Sequence, residues 1–214
     1  MNDYFNNLKD NEKQALILYK SRLGLLMNDI ENKCLAENIY NYYLKIFKNP
    51  YNLTLLFFPF NVIDFTSLNS FVSSVYDVKE ALLNIEPYKL DEDLTVFRVV
   101  STEDSINDIS KSELISTSES IDEASKFLIN NKDAKNTFFE INLYKGNKVL
   151  FCPYNFKYDT KNNILKLESN DSQKEILLRK DDYDFAKYLD TSYNIEGISF
   201  DVKVFDAKTH EKHI

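Results

Sequence analysis

The sequence contains no tryptophan, only three glycines, four prolines, two cysteines and two histidines in 214 residues. So few glycines leave no Gly-rich phosphate loop, which removes P-loop enzymes and Rossmann dehydrogenases together. The histidines, His210 and His213, both stand near the C-terminal end, so a Ser-His-Asp triad has no base. No His/Cys/acid cluster has metal-ligand spacing, and no metal is expected. Cys34 and Cys152 are too few for a disulfide framework and read as two reduced, partly buried thiols. Met1 is followed by Asn-Asp-Tyr-Phe, without a basic segment and apolar core, so no signal peptide is visible. No apolar run approaches the roughly 18 residues a membrane span needs, and a soluble protein is expected. Arginine is scarce as well: Arg22, Arg98 and Arg179 stand among 26 basic residues. Where Lys is the default cation, each planar guanidinium fork invites a reason.

What is present is ordinary globular composition, 43% hydrophobic and 28% charged, with 16 Phe and 14 Tyr. A net charge of −8 argues against a nucleic-acid-coating surface. The length fits one domain with a sizeable core, and a monomer is expected. Ala15, Tyr19, Leu23, Leu26, Met27 and Ile30 form one apolar stripe, predicting a helix that starts near Asp10 or Asn11. Leu35, Ile39, Tyr42, Tyr43 and Ile46 predict a second helix, stopped by Asn49-Pro50, and Leu68 to Ile85 a third, ending before Pro87. The patch Leu55–Phe60 reads as a core-filling connector. From residue 94 the period changes: Leu94–Val100, Leu114–Ser116, Thr137–Leu143, Val149–Cys152, Ile164–Leu167, Ile176–Arg179, Tyr183–Leu189 and Ile198–Phe205 read as strands, with a helix after Ser118. Helices first and strands after, without βαβ alternation, is an α+β pattern. The expected division is a helical part over residues 1–90, a β-rich core over 91–207 and a tail over 208–214.

Three stretches bear chemistry. Arg98 lies in the apolar strand Val96-Phe97-Arg98-Val99-Val100, where a guanidinium must meet an anion: a structural carboxylate, or a phosphate or carboxylate ligand. Ser116-Thr117-Ser118 precedes a helix, so it serves either a site or the helix N-terminus, with Ser120 or Ser118 as the cap. Gln173-Lys174-Glu175 enters the apolar run Ile176–Leu178 from the polar turn Glu168–Ser172. On a strand, Gln173 and Glu175 share a face, so an amide and a carboxylate aim into one space. In isolation Lys174-Glu175 also fits a solvated edge.

The combination resembles the mono-ADP-ribosyltransferase toxins, most closely the clostridial Rho-modifying exoenzymes and the catalytic domains of binary actin-modifying toxins. That family carries an aromatic-Arg pair, a Ser-Thr-Ser strand and a Glu-x-Glu or Gln-x-Glu before an apolar run. Here these are Phe97-Arg98, Ser116-Thr117-Ser118 and Gln173-Lys174-Glu175. Asn11–Leu16 with Tyr19, Ala124 with Phe127, and Tyr144-Lys145-Gly146 match the flanks more softly, so the resemblance spans residues 8–206. It implies N-terminal helices and two packed, perpendicular β-sheets enclosing an NAD cleft, with NAD as co-substrate. It further implies that Arg98 holds the diphosphate and that Ser116 braces the catalytic carboxylate. Glu175 would stabilise the oxocarbenium-like transition state, and Gln173 would orient an Asn or Gln acceptor on a target such as a Rho-type GTPase. Phe97, Thr117, Ser118 and Phe127 would complete the NAD pocket, and NAD glycohydrolysis is an implied side activity. A secreted virulence factor acting in a target-cell cytosol is the matching setting. Three positions depart from the family: Val99 replaces the usual Gly, Lys132 and Lys135 stand where a second Arg is common, and Leu167–Ser172 offers no recognition aromatic. These departures suit the other implied reading, a non-catalytic copy of the fold that docks on a translocation partner.

Overall fold

A computed structural model of the chain describes residues 2–48, 59–101, 113–129, 136–162, 164–169, 175–195 and 198–209. These fall into two compact units, Met1–Glu86 with Cys152–Asp171 and Pro87–Phe151 with Ser172–Ile214.

In the first unit, the stripe from Ala15 to Ile30 folds as two helices rather than one. After α1 (Asn2–Asn7), α2 spans Asp10–Tyr19 and α3 spans Leu23–Asn28. Ser21 makes the break. Its Oγ donates to the Leu18 carbonyl at 2.6 Å and accepts from the Leu23 amide at 3.1 Å, a local alternative to the helical ladder. Gly24 then lets α3 fold back closely, since a Cβ there would stand 2.1 Å from the Tyr19 carbonyl oxygen. Gly24→Ala is therefore expected to destabilise the protein by about 2–3 kcal/mol through overpacking. The usual helix preference for Ala, about 1 kcal/mol, has the opposite sign. Urea denaturation reads the difference, and a G24A protein at or above wild-type stability would refute this packing.

Helix α4 (Lys33–Phe47) is capped by Asn32, whose Oδ1 accepts from the Leu35 amide, and α5 (Leu68–Leu83) by Ser67, whose Oγ accepts from the Ser70 amide. Most of the connector Leu55–Phe60 lies outside the described residues. Phe60 is buried and meets the rings of Tyr43, Phe47 and Phe156 at 5.1, 5.4 and 5.6 Å. Phe156 belongs to a hairpin, β6 (Tyr154–Asp159) and β7 (Ile164–Ser169), which groups with the helices rather than with the β-rich part of the chain. Phe5–Tyr154 and Tyr42–Tyr158 contacts secure it further. Arg22 is explained here as well, since its guanidinium lies 4.0 Å from the Tyr42 ring centroid. Both cysteines are free, and Cys34 is exposed rather than partly buried. Cys152 is buried, which pushes its thiol up to about 11, while burial brings the neighbouring Lys20 ammonium down to about 8.

The second unit holds the remaining strands: β1 (Tyr88–Lys89), β2 (Leu94–Ser101), β3 (Leu114–Ser118), β4 (Asn136–Leu143), β5 (Lys148–Phe151), β8 (Glu175–Arg179), β9 (Tyr183–Ile195) and β10 (Ile198–Thr209). Helix α6 (Ile121–Ile129) packs with them. The hydrogen-bonded order is β1-β5-β8-β3-β2-β4-β10-β9, antiparallel except for β4 with β10. Helices α1–α5 in one unit and a mixed sheet with α6 in the other make an α+β protein.

Among the described residues, the two halves of this sheet, β1-β5-β8-β3 and β2-β4-β10-β9, meet at a seam of one registered pair, Phe97 opposite Ser118. Ile115, Val149, Ile176 and Leu178 from one half and Val96, Phe139, Ile141 and Ala207 from the other form one buried core. The strands thus make one large mixed sheet, with the β6–β7 hairpin as a second, small one. Strand β10 runs through Thr209, so the expected tail begins as strand. At the outer edge, the β9 register slips by one residue at Tyr188, and the Lys187–Asp190 ion pair adds charge beside the slip. Both features discourage pairing with another strand. Among the described residues no helix is long and apolar enough to cross a membrane.

Candidate active site

Strands β2, β3 and β8 are neighbours, so stretches far apart in sequence converge. In the β3–β8 ladder Ser118 faces Glu175, Thr117 faces Ile176 and Ser116 faces Leu177. Ile115, Ile176 and Leu178 turn into the main core, and strict alternation sends Ser116, Ser118 and Glu175 to the opposite face. There Ser116 Oγ donates a 2.5 Å hydrogen bond to Glu175 Oε1 across 59 residues of sequence. From the core side, Thr117, only 3% exposed, donates from Oγ1 to the Ile176 carbonyl at 2.7 Å. Thr117 thus holds the Ile176–Leu177 peptide from the core side, while Ser116 holds the Glu175 side chain on the opposite face.

Arg98 is half-buried, and its Nη1 donates to the Ser116 carbonyl at 3.1 Å. Phe97 sits opposite Ser118 and packs over Phe138 at 6.0 Å, with Ala124 of α6 in the same cluster. Ser118 Oγ accepts from the Ser120 amide, and Ser120 Oγ accepts from the Glu123 amide. The cap of α6 is therefore Ser120, which leaves Ser116 to the carboxylate. Arg179 is a structural fork: its Nε and Nη2 both lie 2.8 Å from Asp182 Oδ2.

Gln173, Lys132, Lys135, His210 and His213 lie outside the described residues, as does the side chain of Phe127, a residue of α6. Among the described residues no group of three or more His, Cys, Asp and Glu could hold a metal ion.

One neighbour escaped the sequence reading. Phe97 also faces Glu140 on β4, so Glu175, Ser118, Phe97 and Glu140 form one transverse row on one face. Glu140 Oε2 accepts from the Tyr193 hydroxyl, and that bond raises the phenol to about 12. The signal was available in the alternation of Phe138, Phe139 and Glu140, which places the carboxylate beside Phe138, away from the main core.

The fold is similar to those of solved ADP-ribosyltransferase toxins. Plx2a, an ADP-ribosyltransferase toxin from Paenibacillus larvae, is 14% identical with a TM-score of 0.44, over 97% of this chain and 90% of that one. BECa, an ADP-ribosylating toxin of a binary enterotoxin of C. perfringens solved with NADH, is 13% identical with a TM-score of 0.40. The enzymatic component C2-I of the Clostridium botulinum C2-toxin is 15% identical, also at 0.40. Each of these two matches 98% of this chain, which spans only 44% and 46% of their respective lengths. No family model matches the chain, and no curated protein is similar to it in sequence.

Proposed function

We propose that the chain is an NAD-dependent protein mono-ADP-ribosyltransferase. The observation that carries this reading is the linked set Arg98–Ser116–Glu175, in which a guanidinium and a carboxylate meet on one serine. Its donor chemistry fits NAD. A guanidinium suits a diphosphate, hydroxyls suit ribose oxygens, and a carboxylate suits a carbon that becomes cationic.

In the reaction, the bond between C1′ of the nicotinamide ribose and the pyridinium nitrogen breaks. Its electron pair leaves with neutral nicotinamide, and positive charge develops on the ribose. Glu175, kept in place by Ser116, stabilises that charge and binds the 2′-hydroxyl. Arg98 anchors the diphosphate, with Phe97, Ser118 and Phe127 as the remaining NAD-side residues, whereas Thr117, expected beside them, is buried on the core side and supports β8 through the Ile176 carbonyl. The acceptor nitrogen attacks C1′ and releases a proton, while water in its place gives NAD hydrolysis. Gln173 orients an Asn or Gln acceptor, because an amide pairs with an amide whereas a guanidinium prefers a carboxylate. A Rho-type small GTPase is the proposed kind of target.

The test is incubation with labelled NAD and a eukaryotic lysate, followed by mass spectrometry of any labelled protein band. An ADP-ribosylated Asn or Gln is the expected product. Absence of a band, of nicotinamide release and of NAD binding by calorimetry would leave a docking module instead. Gln173→Ala is expected to lower protein modification about tenfold or more, the scale of a lost polar contact. NAD hydrolysis should change little, and equal loss of both activities would show that Gln173 does not orient the acceptor.

A further inference from the structure

We infer that the outer face of the β6–β7 hairpin docks the acceptor protein, with Lys157 and Lys166 receiving an acidic patch of it; this rests on the proposed transfer reaction. The two strands are amphipathic in register. Tyr154, Phe156 and Tyr158 share one face with Leu165 and Leu167, and the three rings meet Phe5, Phe60 and Tyr42. That face holds the hairpin on its unit. The opposite face carries Asn155, Lys157, Asp159, Ile164, Lys166 and Glu168 and turns away from that packing. At its centre Lys157 stands directly opposite Lys166, both exposed. Like charges placed opposite each other cost a sheet stability, so the fold alone does not call for the pair.

The two carboxylates on this face do not occupy the lysines. Asp159, though close enough to Lys166 to feel its charge, is committed to the hairpin tip. It accepts there from the Lys161 amide at 3.1 Å and from the Asn162 amide and Nδ2 at 3.2 and 2.7 Å. Glu168 reaches Lys157 at 3.8 Å, but the two side chains are 48% and 74% exposed, and an ion pair so open to water holds little. With Lys161 at the tip, the hairpin carries three lysines against two carboxylates, in a chain of net charge −8. An island of positive charge on an acidic protein favours an acidic partner there and steers its approach. The place of the hairpin in the chain says which partner. Five residues join β7 to β8, and Gln173, proposed to orient the acceptor, is among them.

Lys157→Gln combined with Lys166→Gln tests this, with labelled NAD and the proteins of a eukaryotic lysate as acceptors. The apparent KM for acceptor, read from the labelled band over a lysate dilution series, is expected to rise about tenfold. The kcat, and nicotinamide release without lysate, should stay within about twofold of wild type. Raising salt from about 50 to 300 mM should weaken wild-type labelling and leave the variant nearly flat. Arg at both positions keeps the charge and should keep the wild-type KM. Lys33→Gln with Lys45→Gln makes the same charge change at exposed positions of α4 and should leave KM unchanged. An equal rise there would make the effect one of net charge and overturn the docking face. Matched loss of labelling and nicotinamide release in the hairpin variant would overturn it too. Sedimentation of the wild type with phosphatidylserine vesicles, lost in that variant, would assign the lysines to a membrane surface instead and equally overturn it. Wild-type protein that releases no nicotinamide overturns the transfer reading itself, whereas release with an unchanged acceptor KM in the variant overturns the docking face alone.

Discussion

Glu175→Gln is expected to lower ADP-ribose transfer by about 10³-fold, the scale of losing one preorganised electrostatic partner of a transition state. The substitution is nearly isosteric. The Gln side-chain oxygen can still accept from Ser116 Oγ, so the local hydrogen bond survives. What disappears is the negative charge, which matters only once the ribose becomes cationic. The loss should therefore fall on kcat, with KM for NAD shifting much less. Stability should change little, because Glu175 is only half-buried and lies opposite the core-facing Ile176 and Leu178. Single-turnover measurement of nicotinamide release, with thermal melting alongside, reads both quantities. Wild-type activity in the E175Q protein would sink the assignment.

Phe139→Ala is expected to cost about 3–5 kcal/mol, the range for removing a fully buried phenylalanine. Phe139 is 0% exposed and faces Arg98 on β2 and Lys203 on β10, with its ring 5.8 Å from that of Phe205. It shares one core with Ile115, Ile176 and Leu178, the residues behind Ser116 and Glu175. A cavity here loosens both sides of the seam at once. Urea denaturation should show a large fall in midpoint, and a cost below about 1 kcal/mol would mean that this core collapses around the gap.

Much of this was legible in the sequence, for reasons that can be named. Leu114-Ile115 and Ile176–Leu178 are apolar and buried on their strands, so β3 and β8 announced themselves. Helices α4 and α5 show wide apolar stripes with Asn and Ser caps. The break between α2 and α3 was hidden because Leu23, Leu26 and Met27 continue the stripe in phase, while the single hydroxyl of Ser21 ends the ladder. Strand β6 was missed although Tyr154, Phe156 and Tyr158 alternate with Asn155, Lys157 and Asp159, a period-two pattern whose aromatic members meet Phe5, Phe60 and Tyr42. The one-pair seam had no local signal either. Nor had the β3–β8 ladder, whose Ser116 and Glu175 lie 59 residues apart, a separation no window of sequence contains.

That long pairing also fixes when the site can exist during synthesis. The chain leaves the second unit at Phe151, builds the β6–β7 hairpin in the first, and re-enters at Ser172, just before β8. Strand β8 then inserts between β5 and β3, both made earlier, and β10 lies parallel to the older β4. Ser116 therefore leaves the ribosome long before its carboxylate partner, and β3 waits with an open edge. A nascent chain cut short before Glu175 carries Arg98 and Ser116 but lacks the group proposed to stabilise the transition state. On this topology the site closes only once β8 has been made, so a cell making the protein holds no competent fragment before Glu175 has been added.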